Sequence, residues 1–264
     1  MNNSILYTIT VLIWGSTWLA IEYQLGVVEP EVSVAYRYAA AALLLFAWCR
    51  FRGLSLRFGL KNHVYFVLLG LLLFCLNYIF AYRAQVYITS ALAAIAFSTM
   101  LWMNIILSRI IFGTRVTLHV LAGALLGIVG IVVLFAPQIE SIAVTDSMFF
   151  GSILALGGAL TASFGNMLSQ SAQKRKLPVV ETNTWGMFYG AILTSIVALA
   201  SGHEFNFDAT FTYITSLAYL AIFGSVIAFG AYLTLLGRIG AHKAGYVTVM
   251  FPVVAVILSV AFEG

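Results

Sequence analysis

The chain has 264 residues, of which 62% are hydrophobic and 8% charged, against roughly 25% charged in a soluble domain. Its 13 basic and 9 acidic side chains leave a net charge of +4. So few charges do not cover the surface of a soluble protein of this size, so soluble globular, disordered and collagen-like folds are excluded. What is left is an all-α polytopic membrane protein.

A membrane-spanning helix takes roughly 20 apolar residues. Nine apolar runs meet that need, at 5–25, 32–49, 64–82, 90–112, 118–136, 148–171, 180–200, 213–236 and 244–262. Nearly every face of each run is apolar, so length and turn residues define them rather than periodicity.

Run 1 carries Trp14, Trp18 and Glu22 at i, i+4, i+8, within about 80° of one helix face at 100° per residue. Two rings and an acid on one face fit the wall of a cavity. The competing reading is a tryptophan belt with a snorkelling glutamate, for which Trp18 lies too deep. Val11, Leu12 and Leu19 fall on another face and are expected to meet lipid. In run 2, Arg37 follows Pro30 by seven residues and matches Glu22 in depth. Either Glu22 and Arg37 pair and satisfy both charges, or Arg37 grips a substrate carboxylate with its two-pronged fork.

Run 3 offers Asn77, Tyr78, Tyr82 and Arg83. An asparagine at this depth commonly bonds to a neighbouring helix, and Tyr82 reads equally as an interfacial aromatic. Run 4 offers Ser98, Trp102 and Asn104. Run 5 holds Gly123 and Gly127, and run 7 holds Gly186 and Gly190; both are small-residue motifs that let helices approach closely. The run 5 motif serves packing, a contact to a further helix, or a homodimer. Thr161, Ser163 and Asn166 mark run 6, while Asn183, Trp185 and Tyr189 mark run 7. In run 9, Tyr246 joins Pro252, which leaves the carbonyl of Thr248 without its helical partner.

Eleven of the 13 basic residues fall in the connections after runs 2, 4, 6 and 8, the exceptions being Arg37 and Arg83. Glu29, Glu31, Glu140, Asp146, Glu204 and Asp208 fall in the other set. Basic residues stay cytoplasmic, so the N-terminus is expected inside and the basic surplus sets orientation rather than binding nucleic acid. No basic leader or cleavage site marks the N-terminus, so a removed signal peptide is not expected. Cys49 and Cys75 have neither disulfide nor metal spacing, and no metal or cofactor is expected. The four histidines lie in connections or at helix ends, with no nucleophile and base pair at membrane depth. The chain is therefore not read as an enzyme. No filter segment or ring of like residues suggests a passive channel.

The chain also looks duplicated. Pro30 and Arg37 are mirrored by Pro178 and Trp185, and Ile106-Leu107-Ser108 by Ile257-Leu258-Ser259. Runs 6–9 then match runs 1–4, and the five runs of the first half invert the second in the membrane. An inverted repeat is characteristic of secondary transporters. The halves are 1–137 and 147–264, with run 5 unmatched, so nine helices are present of an expected ten.

Three stretches carry a resemblance: Ile13-Trp14-Gly15-Ser16-Thr17-Trp18, Pro30 with Arg37, and Ala244-Gly245-Tyr246 leading to Phe251-Pro252-Val253-Val254-Ala255. With the repeat, they resemble the EamA family of the drug/metabolite transporter superfamily. Trp102 and Thr114 depart from that family's pattern, which often has proline and glutamate there. The resemblance implies a ten-helix bundle in the cell (inner) membrane, exporting amino acids, related small metabolites or drugs by alternating access. It also implies a central cavity lined by helices 1–4 and 6–9. Its candidate residues here are Trp14, Trp18, Glu22, Arg37, Asn77, Tyr78, Tyr82, Ser98, Trp102, Asn166, Trp185, Tyr189 and Tyr246. The expected partners are a small-molecule substrate and the lipid bilayer, with the chain a monomer or homodimer.

Overall fold

The computed structural model describes residues 1–141 and 146–262. Among the described residues there are nine main helices and no strand. They are α1 Asn3–Glu22, α2 Pro30–Phe51, α3 Leu60–Gln85 and α4 Ser90–Phe112. There follow α5 Leu118–Ser141, α6 Asp146–Lys174, α7 Val179–Ala200, α8 Phe211–Ile239 and α9 Val247–Phe262. A single helical turn, Ala241–Ala244, precedes α9.

All nine apolar runs are helical, and most ends fall within three residues of those read from the sequence. Local residue chemistry sets several of these ends. Pro30 opens α2 from its first turn, where a missing N–H costs nothing. Lys61, Asn62 and His63 form a polar first turn of α3 ahead of its apolar run. Thr89 and Thr210 cap α4 and α8, their hydroxyls accepting from the N–H groups of Leu92 and Tyr213. α4 ends at Gly113, in the left-handed conformation at φ 63°.

Two helices contain something the sequence does not announce. α3 widens over Gly70–Leu76 and α8 over Leu220–Ile227 into π-type turns. Each lies about ten residues into its helix. Wide turns loosen the regular hydrogen-bond ladder and recur at functional sites.

The helices pack in corresponding pairs. α1 lies on α9 and α8, as α6 lies on α4 and α3. α2 packs along α7; the wide turn of α8 meets α2, and that of α3 meets α7. This last seam is a bare-backbone contact. A Cβ placed on Gly70 would stand 2.8 Å from both the Gly186 carbonyl oxygen and the Gly190 nitrogen. The Gly186 and Gly190 motif thus packs α7 onto α3. The Gly123 and Gly127 motif of α5 packs against α9 and the turn before it: Tyr246 crosses Gly123, Val249 covers Gly127, and the Tyr246 hydroxyl donates to the Val120 carbonyl at 2.6 Å.

The lipid face expected for α1 is corrected. Leu12 is exposed, but Val11 and Leu19 are buried, and Gly15 abuts Val254 of α9. α1 is enclosed on two sides.

The two ends of the bundle differ in charge. At the acidic end, Arg83 grips Glu31 with both prongs, Nε to Oε1 at 2.8 Å and Nη2 to Oε2 at 2.7 Å. Arg83 Nη2 also donates to Glu29 and, at 3.1 Å, to His203 Nε2. Asn206 accepts from the Tyr36 hydroxyl and donates to the Val27 carbonyl. The α1–α2 connection, the end of α3 and the α7–α8 connection are thereby tied together. At the basic end, His63 bonds the Tyr189 hydroxyl at 2.9 Å, and Trp185 Nε1 donates to the Leu56 carbonyl.

Candidate functional site

A cavity lies between the helices of both halves. α1 contributes Trp14, Thr17, Trp18 and Ile21, and α3 contributes Leu73, Asn77, Tyr78 and Ala81. Phe97 and Met100 come from α4, Ala162 and Asn166 from α6, Phe229 and Tyr232 from α8, and Phe251 from α9. The cavity volume is about 50 Å³, room for a few waters.

Its wall is a set of interlocked rings. Trp14 lies 5.0 Å from Phe229 and 4.7 Å from Tyr232, and Trp18 lies 4.9 Å from Phe97 and 5.9 Å from Phe251. Edge-on and tilted pairs at these separations add to simple burial. They also give the cavity an apolar face on which flat molecules can stack.

The polar groups answer to the wide turns. In the wide segment of α3 the Leu73 carbonyl accepts from Asn77 Nδ2 at 3.2 Å. In that of α8 the Gly224 carbonyl accepts from Trp14 Nε1 at 3.2 Å. A backbone group loosened at membrane depth needs such a partner. Opposite them, Asn166 Nδ2 donates to the Tyr232 hydroxyl at 3.0 Å and to Asn104 Oδ1 at 3.3 Å. The fifteen lining residues include no charged side chain.

Of the candidates read from the sequence, the structure brings Trp14, Trp18, Asn77, Tyr78 and Asn166 together around the cavity. Arg37 lies one layer behind, with its guanidinium 4.4 Å from the centre of the Tyr78 ring. Of the two readings of Arg37, the bond to Glu22 is absent from this conformation. Arg37 Nε donates to Ser225 Oγ at 2.9 Å, and its Nη1 and Nη2 have no hydrogen-bond partner. Gln85 Nε2 approaches Glu22 Oε2 at 3.4 Å. Equal depth is not enough for a pair, because Arg37 is turned toward α8 and Glu22 toward α3.

The other candidates stand elsewhere. Tyr82 is buried and donates to Gln24 Oε1 at 2.8 Å. Ser98 donates back to its own helix at Ile95. Trp102 packs with Leu101, Ile105 and α5, and Tyr246 fills the same seam. Trp185 and Tyr189 stack together at the basic end beside His63. Phe229 and Tyr232 of α8 are absent from the candidates read from the sequence. With Ser225 they repeat at i, i+4, i+7 in the second half of α8, which is a usable signal.

Comparison with known proteins agrees with the architecture. The model of the EamA-like transporter family matches residues 3–136 and again 149–264. The Escherichia coli (strain K12) protein named uncharacterized inner membrane transporter YedA is 28% identical over 261 residues, covering 96% of this chain and 80% of that protein. Protein PagO of Salmonella typhimurium is 26% identical, covering 98% of this chain and 84% of PagO. A solved crystal structure at 20% identity superposes with a TM-score of 0.78, over 99% of this chain and 88% of that one; at that identity the likeness is one of fold. Among the described residues, eight helices are long and apolar enough to cross a membrane. The chain is a multi-pass membrane transporter that belongs to the EamA-like transporter family.

Proposed function

We propose that the chain is a secondary transporter that exports small, largely apolar or aromatic metabolites by alternating access. Its halves, 1–137 and 147–264, act as oppositely oriented repeats that rock about the central cavity. The carrying observation is the helix pairing. Exchanging α1–α4 for α6–α9 turns each major contact into another that is also present, and the cavity sits where the exchanged pairs meet. The two wide turns, in α3 and α8, occupy matching places, and the family model matches the chain twice.

In this reading the N-terminus and the basic connections face the cytoplasm of a cell (inner) membrane, because basic residues resist translocation. Trp14, Trp18, Tyr78 and Phe229 stack the substrate, while Asn77 and Asn166 bond its polar atoms. The acidic-end tie of Arg83, Glu31 and His203 joins the first half to the α7–α8 connection of the second. It closes the outer side when the cavity faces in.

The test is counterflow in liposomes carrying the purified full chain. Vesicles loaded with an unlabelled metabolite mixture are given labelled members of it outside. A carrier produces saturable uptake with a transient overshoot, and Trp18→Ala reduces it. Uptake that is linear in concentration and never overshoots is the behaviour of a passive channel and would reject the carrier reading.

A further inference from the structure

Arg37 is an unusual side chain for its place. It is 0% exposed; Nε donates to Ser225 at 2.9 Å, the Tyr82 hydroxyl lies close to the fork, and Nη1 and Nη2 make no hydrogen bond of good geometry. Among the described residues, ion pairs join Arg83 and His203 to Glu29 and Glu31, and none involves Arg37. Its neighbours are rings: Tyr78 at 4.4 Å and Tyr38 at 5.4 Å to the centroids. The Tyr38 hydroxyl has no hydrogen-bond partner either.

A buried guanidinium with no ion pair and two nitrogens lacking a well-formed hydrogen bond destabilises the fold, and ring faces and a nearby hydroxyl repay only part of its lost hydration. A group kept at such a cost points to a task outside the resting structure. Its position suggests the task. The cation is one ring's thickness from the cavity, because Tyr78 lines that space and lies against it. Its Nη2 also lies over bare Gly224, where a Cβ would stand 3.1 Å away. The carbonyl of Gly224 holds Trp14, a second lining residue. A turn of the Tyr78 ring would bring the free prongs to the cavity.

We propose that the transported molecule is a monocarboxylate with an aromatic or apolar body and no ammonium group, and that Arg37 is its counter-charge. The inference rests on the transporter reading above. The two free prongs match the two oxygens of a carboxylate. A phosphoryl dianion would bring two charges to one cation in an otherwise uncharged cavity. An amino-acid zwitterion would bring an ammonium to a lining without an acidic residue.

A matched series tests this with the purified full chain in detergent: 3-phenylpropanoate, phenylalanine, 3-phenylpropanamide and 3-phenylpropylammonium. Thermal stabilisation against concentration gives a half-saturation point for each. The carboxylate is expected to saturate at least tenfold lower than the other three. Arg37→Met is expected to melt no lower than the parent and to lose the preference for the carboxylate. Arg37→Lys keeps the charge without the fork, so it should retain the preference at weaker affinity.

Equal or tighter binding of phenylalanine, the amide or the amine overturns the proposal, as does no binding of the whole series. An Arg37→Met variant that melts lower and still prefers the carboxylate makes Arg37 a structural cation. Should Arg37→Met not fold, Arg37→Lys decides, and unchanged carboxylate affinity there removes Arg37 from the site. Each of these failures leaves counterflow of other solutes intact, whereas absent counterflow defeats the transporter reading itself.

Discussion

Gly70→Ala probes the contact on which the α3–α7 seam depends. The new methyl would stand 2.8 Å from the Gly186 oxygen and the Gly190 nitrogen, and 3.0 Å from Tyr189 Cβ. Two of these atoms are backbone and the third is fixed to it, so no side-chain rotation makes room. Ordinary contact begins near 3.4 Å, so the helices must part by about 0.6 Å. A gap of that size forfeits roughly a quarter or more of each dispersion contact along the seam. Overpacking of this kind costs about 1–3 kcal/mol. Melting falls by about 2–4 °C per kcal/mol for chains near this size, so a drop of several degrees is expected. Cys49 and Cys75 are free and fully buried, and their reaction with a fluorogenic maleimide on heating reports unfolding. Gly230→Ala is the control. Nothing lies within 4 Å of its added carbon, and helix propensity favours alanine there by about 0.5–1 kcal/mol. Equal melting points for the two variants would refute the close-approach argument.

Glu31→Gln should cost about 1–3 kcal/mol and Glu29→Gln about 0.5 kcal/mol or less, because their side chains are 6% and 46% exposed against the same arginine; equal falls in melting temperature would contradict this. Tyr246→Phe removes the hydroxyl that holds the Val120 carbonyl at 2.6 Å and should lower stability by about 0.5–1.5 kcal/mol; no change in melting would show that Gly123 packing alone seats α5. Single cysteines at Asp146 and Asp208 should react with an impermeant thiol reagent from outside intact cells, and one at Arg175 should not. Labelling of Arg175→Cys from outside would reverse the proposed orientation.

Helix number and order are legible in the sequence because a span is announced by length and a loss of charge, both visible along one dimension. Rotation about each helix axis is not. Trp14 and Trp18 can be placed, since a ring pair so deep in a helix has little use in an interfacial belt. Trp102, Trp185, Tyr189 and Tyr246 stand out by residue type alone. In a helix that is apolar all round, nothing separates a ring lining the cavity from one filling a seam. The pairing of Glu22 with Arg37 is absent from this conformation for the same reason, since it uses depth and lacks direction. The wide turns leave no trace in the sequence because no residue type encodes them; Gly70–Leu76 reads as plain apolar helix.

Those wide turns set the phase of the helical segments downstream of them. Asn77, Tyr78 and Ala81 come after the wide turn of α3, and Phe229 and Tyr232 after that of α8. Each of these side chains faces the cavity only because its helix carries the extra residue upstream. Removing one residue from Gly70–Leu76 and restoring a regular ladder would rotate the rest of α3 by about 100°. Tyr78 would swing out of the wall and Arg83 away from Glu31, with no lining residue substituted. The length of a featureless leucine-rich stretch is thus as much a specification of the binding surface as the aromatic residues themselves.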